Sequence, residues 1–138
     1  MSIAAHKERA LAFLTGLGTH DLGQLPDMLA DDFAYEFVGR VPGGPVRAGK
    51  REFLTGFAPK VKEWFPNGLH FRVMTVIGEG PHVAVQAESN AVLADGRQYG
   101  NQYHFYFRFE GGKIVELREY LDVVTALDIL AGHSSPPA

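Results

Sequence analysis

Residues 95–122 read D-G-R-Q-Y-G-N-Q-Y-H-F-Y-F-R-F-E-G-G-K-I-V-E-L-R-E-Y-L-D, and this stretch decides the fold. Apolar and aromatic side chains alternate with polar ones on both sides of Gly111-Gly112, and a second turn signal, Asp95-Gly96, opens the segment. A period of two marks strands with one buried face, and glycine supplies the positive φ of tight hairpins. Two consecutive antiparallel strands follow, Arg97–Phe109 and Lys113–Asp122. Upstream, Leu69–Gly78 and His82–Ala94 read as two more, separated by Gly78 to Pro81.

Toward the N-terminus the period becomes helical. Ser2 opens a helix carrying Ile3, Ala10, Phe13, Leu14 and Leu17 on one stripe, and Gly16 and Gly18 break it. A short helix after Asp21 carries Leu25, Met28 and Leu29; Phe33–Val38 reads as a strand and Gly39–Gly49 as a loop. A third helix, Lys50–Phe65, places Phe53, Leu54, Phe57, Val61 and Trp64 on one stripe, with Pro59 bending or interrupting it. Asp122 caps a closing helix through Leu130. Helices followed by a meander of strands predict one α+β domain over residues 1–133, with a flexible tail at 134–138. In it, helices cover a strongly curved antiparallel sheet and enclose an internal pocket.

Composition narrows the function classes. With 138 residues and 46% hydrophobic content the chain can build one real core. A net charge of -3 without a basic stripe argues against nucleic acid. The absence of cysteine excludes disulfides, zinc thiolates and thiol nucleophiles. No apolar run spans a bilayer and the N-terminus lacks a signal pattern, so a cytoplasmic protein without membrane contact is expected. His6, His20, His70, His82, His104 and His133 show no metal-ligand spacing, and Gly16-Leu17-Gly18 lacks the rest of a dinucleotide loop. Neither a metal nor a cofactor is expected.

Turn geometry predicts which side chains share a face. A two-residue Asp95-Gly96 turn pairs Ala94 with Arg97, and so sets Asn90 opposite Asn101, Glu88 opposite Tyr103 and Gln86 opposite Phe105. A three-residue second loop, with Gly112 left-handed, sets Glu119 opposite Tyr103. The expected site is then a row, Glu88, Tyr103 and Glu119, with Gln86, Asn90, Asn101, Phe105, Leu117 and Leu121 around it. The other face would carry Val83, Val85, Ala87, Gln102, His104, Tyr106, Arg108, Arg118 and Tyr120, a mixture that suits a homodimer formed sheet against sheet.

The pattern D-G-R-x-Y-x-N-x-Y-H-F-x-F-x-x-x-x-G-K-I-x-x-x-R-E-Y-x-D resembles the SnoaL-like branch of the nuclear-transport-factor-2-like (cystatin-like cone) superfamily. The resemblance covers nearly the whole chain. It implies a cone-shaped fold and, among relatives, polyketide cyclases, isomerases, dehydratases and epoxide hydrolases. In limonene-epoxide-hydrolase-like members, paired carboxylates sit where Glu88 and Glu119 fall; the bridging arginine is replaced here by Gln86. Tyr35 matches a water-holding tyrosine of those proteins, but Phe37 stands where they place an asparagine. The ketosteroid-isomerase pattern seeks an aspartate base on the first strand, where this chain has Tyr35, Glu36 and Phe37.

Two carboxyls flanking a tyrosine in an apolar hollow raise each other's pKa, so Glu88, Glu119 and Tyr103 are the expected catalytic residues. One glutamic acid would donate to a developing oxyanion and the other would accept a proton. Tyr35, Phe37 and Trp64, with the polar and apolar groups around the row, would bind a small apolar or amphipathic ligand. Two other readings stand beside this one. Each glutamate could instead satisfy an arginine, Arg72 or Arg97, and the fold could serve as a non-catalytic ligand-binding or dimeric interaction module.

Overall fold

Ser2 accepts a hydrogen bond from the Ala5 N–H (3.1 Å) and starts helix α1, Ile3–Thr19. The computed structural model describes residues 1–130; the expected tail at 134–138 and the end of the expected domain range lie outside them. Gly16 and Gly18 do not end α1, which runs on to a left-handed His20. They allow close packing instead: a Cβ on Gly18 would lie 2.8 Å from the Phe71 ring, and one on Gly16 2.9 Å from the Asp21 carbonyl. Short helix α2, Leu25–Met28, leads directly into β1, Leu29–Val38, so Leu29 belongs to the strand and not to the helix. Part of the expected loop is also a strand, β2, Val46–Gly49.

The third helical segment is interrupted as Pro59 requires. Helix α3, Lys50–Glu52, widens into a π turn at Phe53–Phe57 before α4, Ala58–Trp64. The Ala58 N–H reaches back five residues to the Phe53 carbonyl. Proline has no N–H and crowds the carbonyl four residues earlier, and one wide turn relieves both. The strands β3 (Arg72–Glu79), β4 (His82–Val92), β5 (Gln98–Glu110) and β6 (Lys113–Leu121) follow, then α5, Val123–Leu130.

The six strands form one curved, unclosed sheet in the order β2-β1-β6-β5-β4-β3. It is mixed, not wholly antiparallel as expected, because β1 runs parallel to β6. Both hairpins beside β5 differ from the expected registers. The first loop has three residues, Ala94-Asp95-Gly96: Leu93 N–H bonds the Arg97 carbonyl, Gly96 N–H bonds the Leu93 carbonyl, and Gly96 sits at φ 92. Asp95 Oδ1 accepts the Arg97 N–H at 3.0 Å, which holds this turn. Ala87 therefore lies opposite Tyr103 and Val85 opposite Phe105. A slip of one residue moves a whole strand to the other face. Val83, Val85 and Ala87, expected outside, are buried in the core, while Gln86, Glu88 and Asn90 point outward.

The second loop has two residues, with Gly111 at φ 56 and Gly112 at φ 78, but Val115 then forms a bulge. The bulge restores the expected face for β6 with a shift of two positions: Glu119 lies opposite Phe105, and Leu121 opposite Tyr103. Helix α1 covers the inner face with Ala10, Phe13, Leu14 and Leu17, all buried. Arg9 fastens it by donating to the Gly112 carbonyl at 2.7 Å. Apolar side chains form two clusters. The larger lies between α1 and the sheet, and a smaller one gathers Val61, Phe65, Leu69, Ala91, Leu93 and Tyr99.

Candidate functional site

A hollow of about 50 Å³ opens where these two clusters meet. The larger cluster contributes Phe37, Tyr103, Leu121 and Ala126, and the smaller one Val61, Trp64, Phe65, Leu69 and Tyr99; Phe57 touches both. The one charged residue on this wall is Glu119.

Parallel pairing of β1 with β6 sets Phe37 opposite Glu119 and Tyr35 opposite Leu117. From there the Tyr35 hydroxyl donates to Glu119 Oε1 at 2.6 Å. Enclosure by protein penalises the charged form and raises the Glu119 carboxyl to about 7, although the Tyr35 hydrogen bond pulls the other way. Burial and the facing carboxylate push Tyr35 well above the usual phenol range, so it stays a neutral donor. Ion pairs among the described residues do not include Glu119. The residue is partly accessible, and the hollow is what it lines.

A chain of polar groups completes the wall. Tyr99 and Tyr103 both line the hollow, and burial is the main cause that keeps both phenols neutral. The Tyr103 hydroxyl meets Ser89 Oγ at 2.9 Å. Asn101 anchors the chain. Its Oδ1 accepts the backbone N–H groups of Gln102 and Asp122, and its Nδ2 donates to Tyr99 (2.7 Å) and to the Asp122 carbonyl (3.1 Å).

The expected row is thus broken. Tyr103 and Glu119 share the hollow, with Phe37, Trp64 and Leu121, while Tyr35 stands behind Glu119. Glu88 does not join them: on the outer face it takes two hydrogen bonds from Arg72, at 2.9 and 2.5 Å. This is the arginine reading for that residue. Gln86 and Asn90 lie outside with it, opposite His104 and Gly100. Phe105 and Leu117 face inward but pack into the core, and Asn101 braces the wall from behind. Glu36 also points outward, toward Arg47 and Arg118.

The one-residue difference in the first hairpin turns β4 over and so hides Ser89, whereas Tyr99 lies on the same face of β5 as Asn101 and Tyr103 in either register and is absent from the expected row for no reason of geometry. Phe65, Leu69 and Ala126 carry no signal beyond being apolar. Wider depressions of about 490 and 570 Å³ lie on the outer face, but they are lined by solvated groups such as Arg47, Glu116 and Arg118. Among the described residues no group of three or more His, Asp or Glu side chains is placed to hold a metal ion, and no helix is long and apolar enough to cross a membrane.

The family model of the SnoaL-like domain matches residues 10–117. The chain belongs to the SnoaL-like family. No curated protein matches this SnoaL-like domain, but solved structures share its fold. An LEH-like epoxide hydrolase from M. tuberculosis is 21% identical, with 94% of this chain and 92% of that one covered and a TM-score of 0.74. A candidate SnoaL-like polyketide cyclase from Jannaschia sp. CCS1 is 21% identical, covering 99% and 97%, with a TM-score of 0.78. A candidate hydroxylase from Streptomyces galilaeus is 18% identical, covering 99% and 87%, with a TM-score of 0.74. At such identities these likenesses establish the SnoaL-like, nuclear-transport-factor-2-like α+β fold, on which different chemistries are found.

Proposed function

We propose that the hollow is a small-molecule site in which Glu119 works as a single proton-transferring group, without a cofactor, on a small, mostly apolar ligand. One observation carries this reading: a carboxyl tuned to about 7, held by Tyr35 through one oxygen and lining an otherwise uncharged hollow. Such a group exists in both forms near neutral pH, so it can take a proton at one step and return it at the next. The Tyr103 and Tyr99 hydroxyls would donate to a ligand oxygen as charge develops there. Isomerisation or ring closure suits one carboxyl that performs both transfers. Epoxide opening or dehydration by two cooperating carboxyls is disfavoured, since Glu88 is on the other side of the sheet.

A second reading, ligand binding without turnover, is favoured by the size of the hollow. Ligand pockets usually measure about 300–1,000 Å³, and 50 Å³ admits only a few waters or the head of a ligand. Deuterium exchange separates the two. Incubated in heavy water with small ketones and enones, the protein should catalyse exchange at the carbon beside the carbonyl. Glu119→Gln should slow that exchange by about 10²–10⁴-fold, while ligand still perturbs the fluorescence of Trp64, the one tryptophan in the chain. Exchange that survives the substitution rules out Glu119 as the base. Binding with no exchange in the wild type replaces catalysis by the binding module.

We further propose a homodimer through the outer sheet face. That face carries His104, Tyr106 and Tyr120 among charges of both signs, Glu36 and Glu116 with Arg47 and Arg118. A two-fold axis placed between the acidic and the basic groups would set each against the opposite charge of the other copy.

A further inference from the structure

The hollow combines one carboxyl, no paired cation and a mostly aromatic wall. Phe37, Phe57, Trp64, Phe65, Tyr99 and Tyr103 make up more than half of its lining residues. Tyr35 engages only Oε1 of Glu119; Oε2 has no hydrogen-bond partner among the described residues, yet it is not among the fully buried orphan atoms. Among the described residues no ion pair reaches that oxygen, and Arg72 and Arg118 both act on the outer face.

We propose that the ligand of this hollow is an organic amine, whose ammonium head pairs with Glu119 Oε2 against the aromatic wall. The inference rests on the small-molecule reading of the same site. A hydroxyl or carbonyl ligand can hydrogen-bond to the tyrosines, but it leaves the carboxylate without a positive partner. An ammonium supplies that partner and also interacts with aromatic faces, most strongly with tryptophan. A charge-assisted hydrogen bond is roughly twice as strong as a neutral one. Size points the same way, because the hollow of about 50 Å³ fits a head group and not a whole ligand. The apolar remainder would extend between Trp64 and Phe57, on the segment that carries the π turn.

Benzylamine and its neutral counterpart benzyl alcohol test this, with Trp64 fluorescence and calorimetry as readouts at pH 6 and pH 8. Benzylamine should bind about tenfold or more tightly than the alcohol at pH 8, where Glu119 is ionised. The preference should shrink at pH 6, where Glu119 is mostly protonated. Glu119→Gln should remove the preference of the amine over the alcohol at both pH values. If the alcohol binds but the amine has no advantage at pH 8, the amine proposal is overturned and the small-molecule site stands. If neither perturbs Trp64, both readings fall. The wild-type pH comparison alone decides the matter if the variant does not fold.

Discussion

Glu119 is costly to the fold wherever it is ionised. Its carboxyl, ordinarily near 4.5, is held at about 7 in the native state, so on raising the pH the unfolded chain loses this proton first. Native stability therefore falls as pH rises from about 4.5 to 7 and stays reduced above that. Glutamine keeps the shape and removes the charge. Glu119→Gln should be more stable than the wild type at pH 8, on the order of 1–3 kcal/mol at about 1.4 kcal/mol per unit, and no more stable near pH 4. Urea unfolding at both values checks this, and an unchanged difference between the two would show that burial does not tune the group. Asn101 is a contrasting residue, since every donor and acceptor of its amide is used inside the protein. Its buried polarity is satisfied and stabilising, whereas that of Glu119 is left partly open.

At the scale of elements, hairpin loops decide which residues meet. Gly96 holds φ 92 with open space around it, so a side chain there meets backbone strain but no collision. Gly96→Ala should cost about 1 kcal/mol and Gly96→Asn distinctly less, because asparagine tolerates the left-handed region. Equal melting temperatures for the wild type and both variants would contradict the three-residue loop. The same loop marks where the sequence stopped being legible. Asp95-Gly96 suits a two-residue turn, and nothing local announces that Asp95 folds back onto the Arg97 N–H instead. The better signal lay within β4, apolar at Val83, Val85, Ala87 and Ala91 and polar at His82, Gln86, Glu88 and Asn90. That alternation fixes the inward face without counting from any turn. In β6 the apolar pattern turns Glu119 inward, as the structure has it, while the Val115 bulge that shifts its partner from Tyr103 to Phe105 leaves no mark in the sequence. Trp64 is legible from the apolar stripe of its helix, and Phe37 only from the family resemblance, which sets the first strand against the site. The parallel pairing of β1 with β6 is not legible, since it joins distant segments with no turn between them.

For the whole molecule, the sheet has one face covered by helices and one that the described residues leave bare. The bare face predicts association: at micromolar concentration the protein should sediment as a dimer, and Tyr106→Glu combined with Arg118→Glu should give a folded monomer. A wild type that sediments as a monomer throughout would remove the proposal. The covered face has another consequence, through the strand order β2-β1-β6-β5-β4-β3. Before β6 joins it, β1 pairs with β2 alone, and its inward aromatics Phe33, Tyr35 and Phe37 wait for a neighbour from the far end of the chain. On the ribosome, β6 is the last of the six strands to emerge. Closing so long a loop is slow, and the two sides of the hollow meet only when it closes. Tyr35, made early, then finds Glu119, made late. Any release or cleavage of the nascent chain before residue 119 leaves a product without the carboxyl that lines the hollow.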